Sequence, residues 1–477
     1  MELITQKPHA VVVASPGMGH LTPFLELVKR LVSHHGFQVT LFAVIADSST
    51  VQSQILSSTN RDFLHVRVIH PDVSSEVPDQ DADVSHRVVA TMQKAMPGVK
   101  SAISNMKVCP NLLIADLFGT DYWAVADEFG MLKFAFMTTS ASFLALAVFL
   151  PVFEDVEDSD YIPVPGCDPV WKFDKRLTLT KDSPAYLGLV CAAKRISMSD
   201  GIIVNSWRDL EPKAIESLSD PNLLGRLITG RVYPVGPLVK QPSIDHEPAL
   251  ASRENHVFKW LQNQPDQSVL YISFGSGGSL TFDQIQELAF GLELSQQRFI
   301  WVLRPPSDID ASKFFFSVDV NEFNGSNYLP TGFLSSTKEV GLIVPMWAPQ
   351  AEILRHNAIG GFLTHCGWNS IIESVVNGVP MVAWPLYAEQ GLNATMLTED
   401  LKIAVKPEAL TGEEDLVRRE EIEKAIKKIM ADKGSYVIRE RVMKLKNDAA
   451  KAGASGKGST NESLSEFTKF VCTMKMK

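Results

Sequence analysis

Residues 9–20 read HAVVVASPGMGH, and residues 268–279 read SVLYISFGSGGS. Each is a short apolar run closed by a glycine-bearing turn, and each leads into a segment with helical spacing. After the first turn, Leu21, Phe24, Leu25, Val28, Leu31 and Val32 recur so as to define one buried helix face. After the second, Phe282, Ile285, Leu288, Ala289 and Leu292 do the same. Thr281 with Gln284 has the form of a capping box at that helix start. Strand, glycine turn and helix, in that order, open a doubly wound parallel sheet. Two such openings, far apart in the chain, imply two sheets and hence two α/β domains.

Further strands are expected at 39–43, 112–114, 134–137 and 201–204, and in the second half at 299–303, 342–344, 361–364 and 381–384. Helical patterns separate most of them. Between the halves, residues 240–255 (KQPSIDHEPALASREN) are polar and twice interrupted by proline, as a linker is. The apolar stretch 134–153 is broken by Thr138, Thr139, Ser140 and Ser142 and ended by Pro151. It reads as a strand and a buried helix, not as a membrane span. Residues 305–330 have no clear period and read as a loop. Near the end, Leu464, Phe467 and Phe470 lie on an amphipathic helix that needs a neighbour.

A chain of 477 residues exceeds one ordinary core. With 45% hydrophobic and 21% charged residues it has the composition of a soluble globular protein. A net charge of -10 without a long Lys/Arg run argues against a nucleic-acid partner. The five cysteines, Cys109, Cys167, Cys191, Cys366 and Cys472, form no Cys-x-x-Cys pair. They fit reduced thiols and a cytoplasmic location. The N-terminus lacks a basic leader, and its apolar run covers only 10–14, a first strand rather than a signal peptide.

Gly17-Met18-Gly19 resembles the start of a dinucleotide fingerprint, but Thr22 occupies the third glycine position and Pro23 follows it. Both oppose the close helix–pyrophosphate approach that a nicotinamide cofactor requires. The turn does place His20 where strand gives way to helix. An imidazole there is suited to act as general base on a hydroxyl, best with a carboxylate orienting its other nitrogen. Asp116, directly after the strand LLIA, stands at the carboxyl edge where ligands collect. A capping histidine and a turn aspartate would occupy the same places, so the residues alone leave both readings open.

The densest chemistry lies in the 44 residues 347–390, WAPQAEILRHNAIGGFLTHCGWNSIIESVVNGVPMVAWPLYAEQ. Here 361–364 reads as a strand and 370–376 as the following helix, so the N–H groups of Asn369 and Ser370 form a site for a diphosphate. His365 adds a hydrogen bond. Ser370 and Glu373 also match a capping box, S-x-x-E; alternatively Glu373 reaches two neighbouring hydroxyls of a ribose. The box leaves Trp347, Gln350, Trp368, Glu389 and Gln390 unexplained. His365-Cys366 is a poor metal pair, because adjacent residues make poor co-ligands. Asp81-Ala82-Asp83 and Asp308-Ile309-Asp310 read as solvated loop charges, so no metal and no other cofactor is expected.

This block resembles, over its full length, the signature box of the plant secondary-product glycosyltransferases, the UDP-dependent family 1 enzymes. The strings SPGMGHLTPFLEL, ADLFGTD, VPGCDPV, VYPVGPLV, LYISFGSGGSLT and LVRREE extend the resemblance along almost the whole chain. Together they most resemble the hydroquinone glucosyltransferase (arbutin synthase-like) branch. The resemblance implies a GT-B fold: two Rossmann-like, doubly wound parallel-sheet domains facing across a cleft. Residues 1–239 would bind acceptor, 240–255 would link, 256–455 would bind the UDP-sugar, and 456–477 would return as a helix to the first domain. His20 and Asp116 take the catalytic places. Trp347 would stack on uracil, Gln350 would meet base and ribose, and Glu373 would take the ribose hydroxyls. Ser276, His365, Asn369, Ser370 and the backbone of Trp368 would hold the diphosphate. Glu389 and Gln390 would read the sugar, the final Gln going with glucose.

The activity implied is inverting transfer from UDP-glucose to a small phenolic acceptor, giving a β-D-glucoside. The alternatives are another UDP-sugar, N- or C-glycosides, or a non-catalytic nucleotide-sugar-binding protein. Phe118, Phe143 and Phe149 would wall a flat acceptor pocket, unless they are plain core aromatics. Tyr122-Trp123 stands where the branch is expected to have smaller residues, so rings facing the acceptor would reshape its pocket. No nucleic acid, no membrane segment and a monomeric state are expected.

Overall fold

The apolar run of the first opening is a strand, β1 (His9–Ala14), and all six of its residues are buried. Burial on both faces is what a strand in a parallel sheet undergoes, and it explains an unbroken apolar run in place of alternation. The structure is a computed structural model and describes residues 7–45, 63–71, 84–154, 161–171, 183–240, 251–306, 325–411, 416–432, 434–454 and 457–474. Contacts divide the chain into two units. The first runs to Leu238 and resumes at Ala449; the second holds Val239–Asp448.

In the first unit β1 is joined by β2 (Gln38–Val44), β3 (Leu64–Ile69), β4 (Leu112–Ala115) and β5 (Leu132–Met137). A short antiparallel pair, β6 (Tyr161–Ile162) and β7 (Val170–Trp171), precedes β8 (Gly201–Val204) and β9 (Arg231–Pro234). The main sheet has the order β3-β2-β1-β4-β5-β8-β9, parallel throughout. Strand order reverses between β1 and β4, which makes their carboxyl ends the topological switch point. The stretch 134–153 divides into β5 and the buried helix Ala141–Phe149. No described helix is long and apolar enough to cross a membrane. β3 and β9 carry no sequence signal of this kind: β3 is an edge strand whose side chains are mostly half-buried or exposed among LHVRVI, and β9 is four residues long.

The second unit repeats the plan. Its strands are β10 (Val269–Ser273), β11 (Arg298–Leu303), β12 (Gly341–Pro345), β13 (Ile359–Thr364), β14 (Met381–Ala383) and β15 (Ala404–Val405). They lie in the order β12-β11-β10-β13-β14-β15, again parallel, with the switch point between β10 and β13. Thr281 caps its helix by accepting from the Gln284 N–H at 3.3 Å. The Gln284 side chain bonds Val417 N and O instead, at 2.9 and 3.0 Å, so only half of the expected box forms. The span 240–255 cedes its last residues to a helix, Ala251–Leu261, because beyond Pro248 nothing breaks a helical run.

The helix Ser459–Met474 packs into the first unit. Leu464, Phe467 and Val471 are buried in its core with Phe37 and Phe134. Phe467 stacks on Phe37 at 5.7 Å and meets Phe134 edge-on at 4.9 Å. Phe470 covers the same cluster from its margin, 6.1 Å from Phe134.

Candidate functional site

The strand ends determine what gathers at the first switch point. Gly17 caps the helix Met18–His35 with φ 105, a conformation that a side chain would resist. The bend brings His20, in the first helical turn, over the end of β4. Asp116 follows β4 directly, is 1% exposed, and caps the short helix Leu117–Tyr122 by accepting from Phe118 N at 3.1 Å. The same Oδ1 accepts from Ser15 Oγ, just past β1, at 2.6 Å. Oδ2 is left facing His20 Nδ1 at 2.9 Å. Thr138 Oγ1, just past β5, lies 3.3 Å from the same nitrogen. The His20 side chain remains 18% exposed above the sealed carboxylate. Ser15 and Thr138 were not singled out from the sequence; the signal was their position one residue beyond a strand.

Of the three phenylalanines named as acceptor walls, Phe118 meets the His20 ring edge-on at 5.3 Å. Phe143 is buried in its helix at 6% exposure, and Phe149 leans on Phe153 at 5.5 Å. Tyr122 is fully buried, its hydroxyl donating to Met92 O at 2.7 Å, and burial drives its pKa upward. Trp123 Nε1 donates to Arg195 O at 3.2 Å. That indole walls a groove of about 650 Å³ with Gln93, Met96 and Met198, whose lining includes neither His20 nor Asp116. Tyr122 is thus taken up by the interior of the first unit, and Trp123 by the wall of this groove.

At the second switch point Gly275, with φ 75, follows β10 by two residues, and His365 follows β13 directly. The imidazole is wedged between glycines. A Cβ on Gly275 would fall 2.6 Å from the ring, and one on Gly367 would fall closer still to Nε2. Burial pushes the His365 pKa down to about 4, so the ring is neutral near pH 7. Its Nδ1 has no hydrogen-bond partner among the described residues. Cys366 makes the turn with φ 63, its carbonyl held by Asn393 Nδ2 at 3.0 Å.

The helix beyond starts at Trp368, with Gly367 as its cap and no side-chain cap. The S-x-x-E capping box is therefore not formed: the helix begins two residues before the start expected at 370, which places Ser370 inside its first turn. Ser370 Oγ accepts instead from Gln350 Nε2 at 3.0 Å, and the same amide donates to Glu373 Oε2 at 2.8 Å. Gln350, Ser370 and Glu373 thus form one polar cluster. Trp368 is buried at 3%, so its backbone and not its ring lies at the helix start. Asn369 is half-buried, and Ser276 is exposed in the turn after Gly275. Trp347, just past β12, leaves 43% of its surface open. Gln390 is buried, and its Oε1 accepts from Leu386 N and Tyr387 N at 2.8 and 3.1 Å, so Nε2 is what it has to offer a ligand. Glu389, half-buried, caps the helix Gln390–Thr395. The strings 81–83 and 308–310 lie outside the described residues.

Burial pushes the Glu373 carboxyl up to about 7, against a downward pull from Gln350. The folded chain therefore binds this proton more tightly than the unfolded one, and the group's stabilising contribution, full below the unfolded pKa, is lost as pH rises towards 7. Glu373→Gln removes that loss. Relative to the wild type, its thermal midpoint should rise by about 2 °C or more between pH 5 and pH 8, while its affinity for UDP falls. A midpoint difference that does not change with pH would dismiss the buried carboxyl as its source.

Residues 247–448 match the family model described as UDP-glucoronosyl and UDP-glucosyl transferase. UDP-glycosyltransferase 72E1 of Arabidopsis thaliana is 46% identical over 475 residues, 97% of this chain and 96% of its own. Hydroquinone glucosyltransferase of Rauvolfia serpentina is 41% identical over 478 residues, 96% of this chain and 97% of its own. Among solved structures, that of TcCGT1 in complex with UDP superposes with a TM-score of 0.89 at 40% identity, covering 98% of this chain and 99% of that one.

Proposed function

The chain belongs to the plant UDP-dependent family 1 glycosyltransferases and shares their GT-B fold, and from that premise we propose inverting transfer of glucose from UDP-glucose to the hydroxyl of a small phenol. The observation that carries this reading is a histidine whose Nδ1 stands 2.9 Å from a carboxylate that is 1% exposed. The other ring edge, bearing Nε2, is the one to meet the acceptor. Nε2 takes the hydroxyl proton as the phenolic oxygen attacks the anomeric carbon. The bond from that carbon to the diphosphate breaks, and its electron pair leaves with UDP. Asp116 stabilises the imidazolium, and Ser15 with Phe118 N keeps the carboxylate aimed. Attack opposite an α-linked leaving group gives the β-D-glucoside.

On the donor side, the charge gathered on UDP meets the first-turn N–H groups of Trp368, Asn369 and Ser370, together with Ser276. His365, neutral at pH 7, contributes an N–H and not a full charge. Trp347 offers its open face to uracil, Gln350 and Glu373 take base edge and ribose, and Glu389 with Gln390 Nε2 takes the glucose hydroxyls. Phenols suit a histidine base because their pKa is roughly 10. Phe118, edge-on to the His20 ring, is the wall offered to a flat acceptor. No metal is assigned a role. Five free cysteines support a reducing, cytoplasmic setting.

The test is incubation with UDP-glucose and a panel of simple phenols, phenylpropanoids and flavonols in the presence of EDTA, read by mass. A hexose gained by a phenol, labile to β-glucosidase, is the expected result. Binding of UDP-glucose with no transfer to any phenol would overturn the acceptor assignment. Activity lost to EDTA and restored by a divalent cation would overturn metal independence.

A further inference from the structure

Beside the residues already assigned, the first unit holds a buried carboxylate that the reaction does not use. Glu211 is 3% exposed, in the loop that follows β8. It accepts four hydrogen bonds: Ala141 N at 2.8 Å, Ser142 N at 2.8 Å, Ser142 Oγ at 2.7 Å and Ser206 Oγ at 2.5 Å. These four donors are backbone N–H groups and serine hydroxyls, not a lysine or arginine. Two of the four donors are the first backbone N–H groups of the helix Ala141–Phe149, and the third N–H, of Phe143, goes to Ser140 Oγ at 3.1 Å. An isolated buried carboxylate is costly, and here it is offset by the donors a helix start would otherwise leave unpaired. Ser206 is itself fixed, since its carbonyl accepts from Gly236 N at 2.8 Å, where a Cβ on Gly236 would fall 2.7 Å from Ser206 N.

Three residues before Ala141 stands Thr138, whose hydroxyl is 3.3 Å from His20 Nδ1. The contacts thus run from the ends of β8 and β9 through Glu211 to the start of the helix Ala141–Phe149, and the short stretch before that helix carries Thr138 to the ring of His20. We propose that Glu211 is a positioning residue for the acceptor side of the reaction. By pinning the start of Ala141–Phe149 it fixes Thr138 against His20 and sets the phenylalanines that would flank the acceptor. This rests on the glucosyl-transfer reading for its kinetic consequence, and on hydrogen bonds alone for its structural one. Glu211 lies in the first unit, whereas the residues assigned to UDP lie in the second.

The test is Glu211→Gln in the full-length protein. The amide keeps the shape, but its NH2 must face donors. The expected result is a kcat/KM for phenols lower by about tenfold or more, since small misplacements are amplified in catalysis. Acceptor KM and the regiochemistry of products on a dihydroxyphenol should change, while the dissociation constant of UDP stays within about twofold. Amide exchange at Ala141 and Ser142 should accelerate. If Glu211→Gln does not fold, Ser142→Ala and Ser206→Ala, each removing one of the four bonds, should shift the same quantities in the same direction by less. A folded Glu211→Gln with wild-type exchange at Ala141 and Ser142 overturns the proposal, as do wild-type acceptor KM and product pattern. A wild type inert on every phenol overturns the glucosyl-transfer reading instead, and the exchange measurement then decides the anchoring by itself.

Discussion

His20→Ala is expected to lower turnover of an ordinary phenol by about a thousandfold while UDP binding stays at the wild-type level. The size follows from what the ring does in the proposed step. Without it the phenol must attack while still protonated, or as the rare anion present at neutral pH. Asp116→Asn should act through the same ring, with a loss of about a hundredfold or more, because an amide cannot stabilise the imidazolium as a carboxylate 2.9 Å away does. The acidity of the acceptor supplies the sharper check. A nitrophenol, largely ionised at the assay pH, has little need of a base, so the His20→Ala deficit should shrink along a series of increasingly acidic phenols. Undiminished turnover of weakly acidic phenols by His20→Ala would remove the base assignment. A deficit that ignores acceptor acidity would make the residue a positioner only.

The second large effect is expected at Gly275→Ala, on UDP affinity. The new methyl would fall 2.6 Å from His365 Cε1, on a backbone whose φ of 75 already disfavours a side chain. The imidazole has little room to move, because Gly367 also stands so close that a Cβ there would overlap Nε2. The ring, and with it the turn that starts the helix Trp368–Asn377, must shift. Loss of hydrogen bonds to a charged diphosphate should weaken UDP by about fiftyfold. Gly188→Ala is the control, since a Cβ there meets nothing within 4 Å; it should bind UDP as the wild type does. Equal affinities for Gly275→Ala and the wild type would show that the diphosphate does not depend on where His365 stands.

The sheets were legible because HAVVVA and VLYIS are buried on both faces, and little except a central parallel strand places an unbroken apolar run before a glycine turn. The edge strand β3 escapes that argument: LHVRVI is exposed or half-buried at all but its first position. His20 and Asp116, far apart in sequence, could be paired because each stands at a strand end and switch-point geometry converts strand ends into neighbours. The residues that hold them were not legible. Ser15, Thr138 and Glu211 are ordinary turn or cap residues until the carboxyl edge assembles around them. The S-x-x-E match, which the sequence leaves open beside a ribose-binding Glu373, forms no cap for a related reason. Cys366 in a left-handed conformation and Gly367 start the helix two residues early, and no local pattern announces a positive φ at cysteine. Ser370 and Glu373 then become partners of Gln350 instead of each other's cap.

The helix Ser459–Met474 fills the core of the first unit although the ribosome makes it after the whole of the second. During synthesis, then, the N-terminal sheet emerges early and waits with Phe37, Phe134 and Tyr233 uncovered, while the later unit, complete by Asp448, can close first. The earlier-made unit is the last to mature. Nascent chains stalled before residue 459 should accordingly be protease-sensitive in the first unit and already resistant over Val239–Asp448.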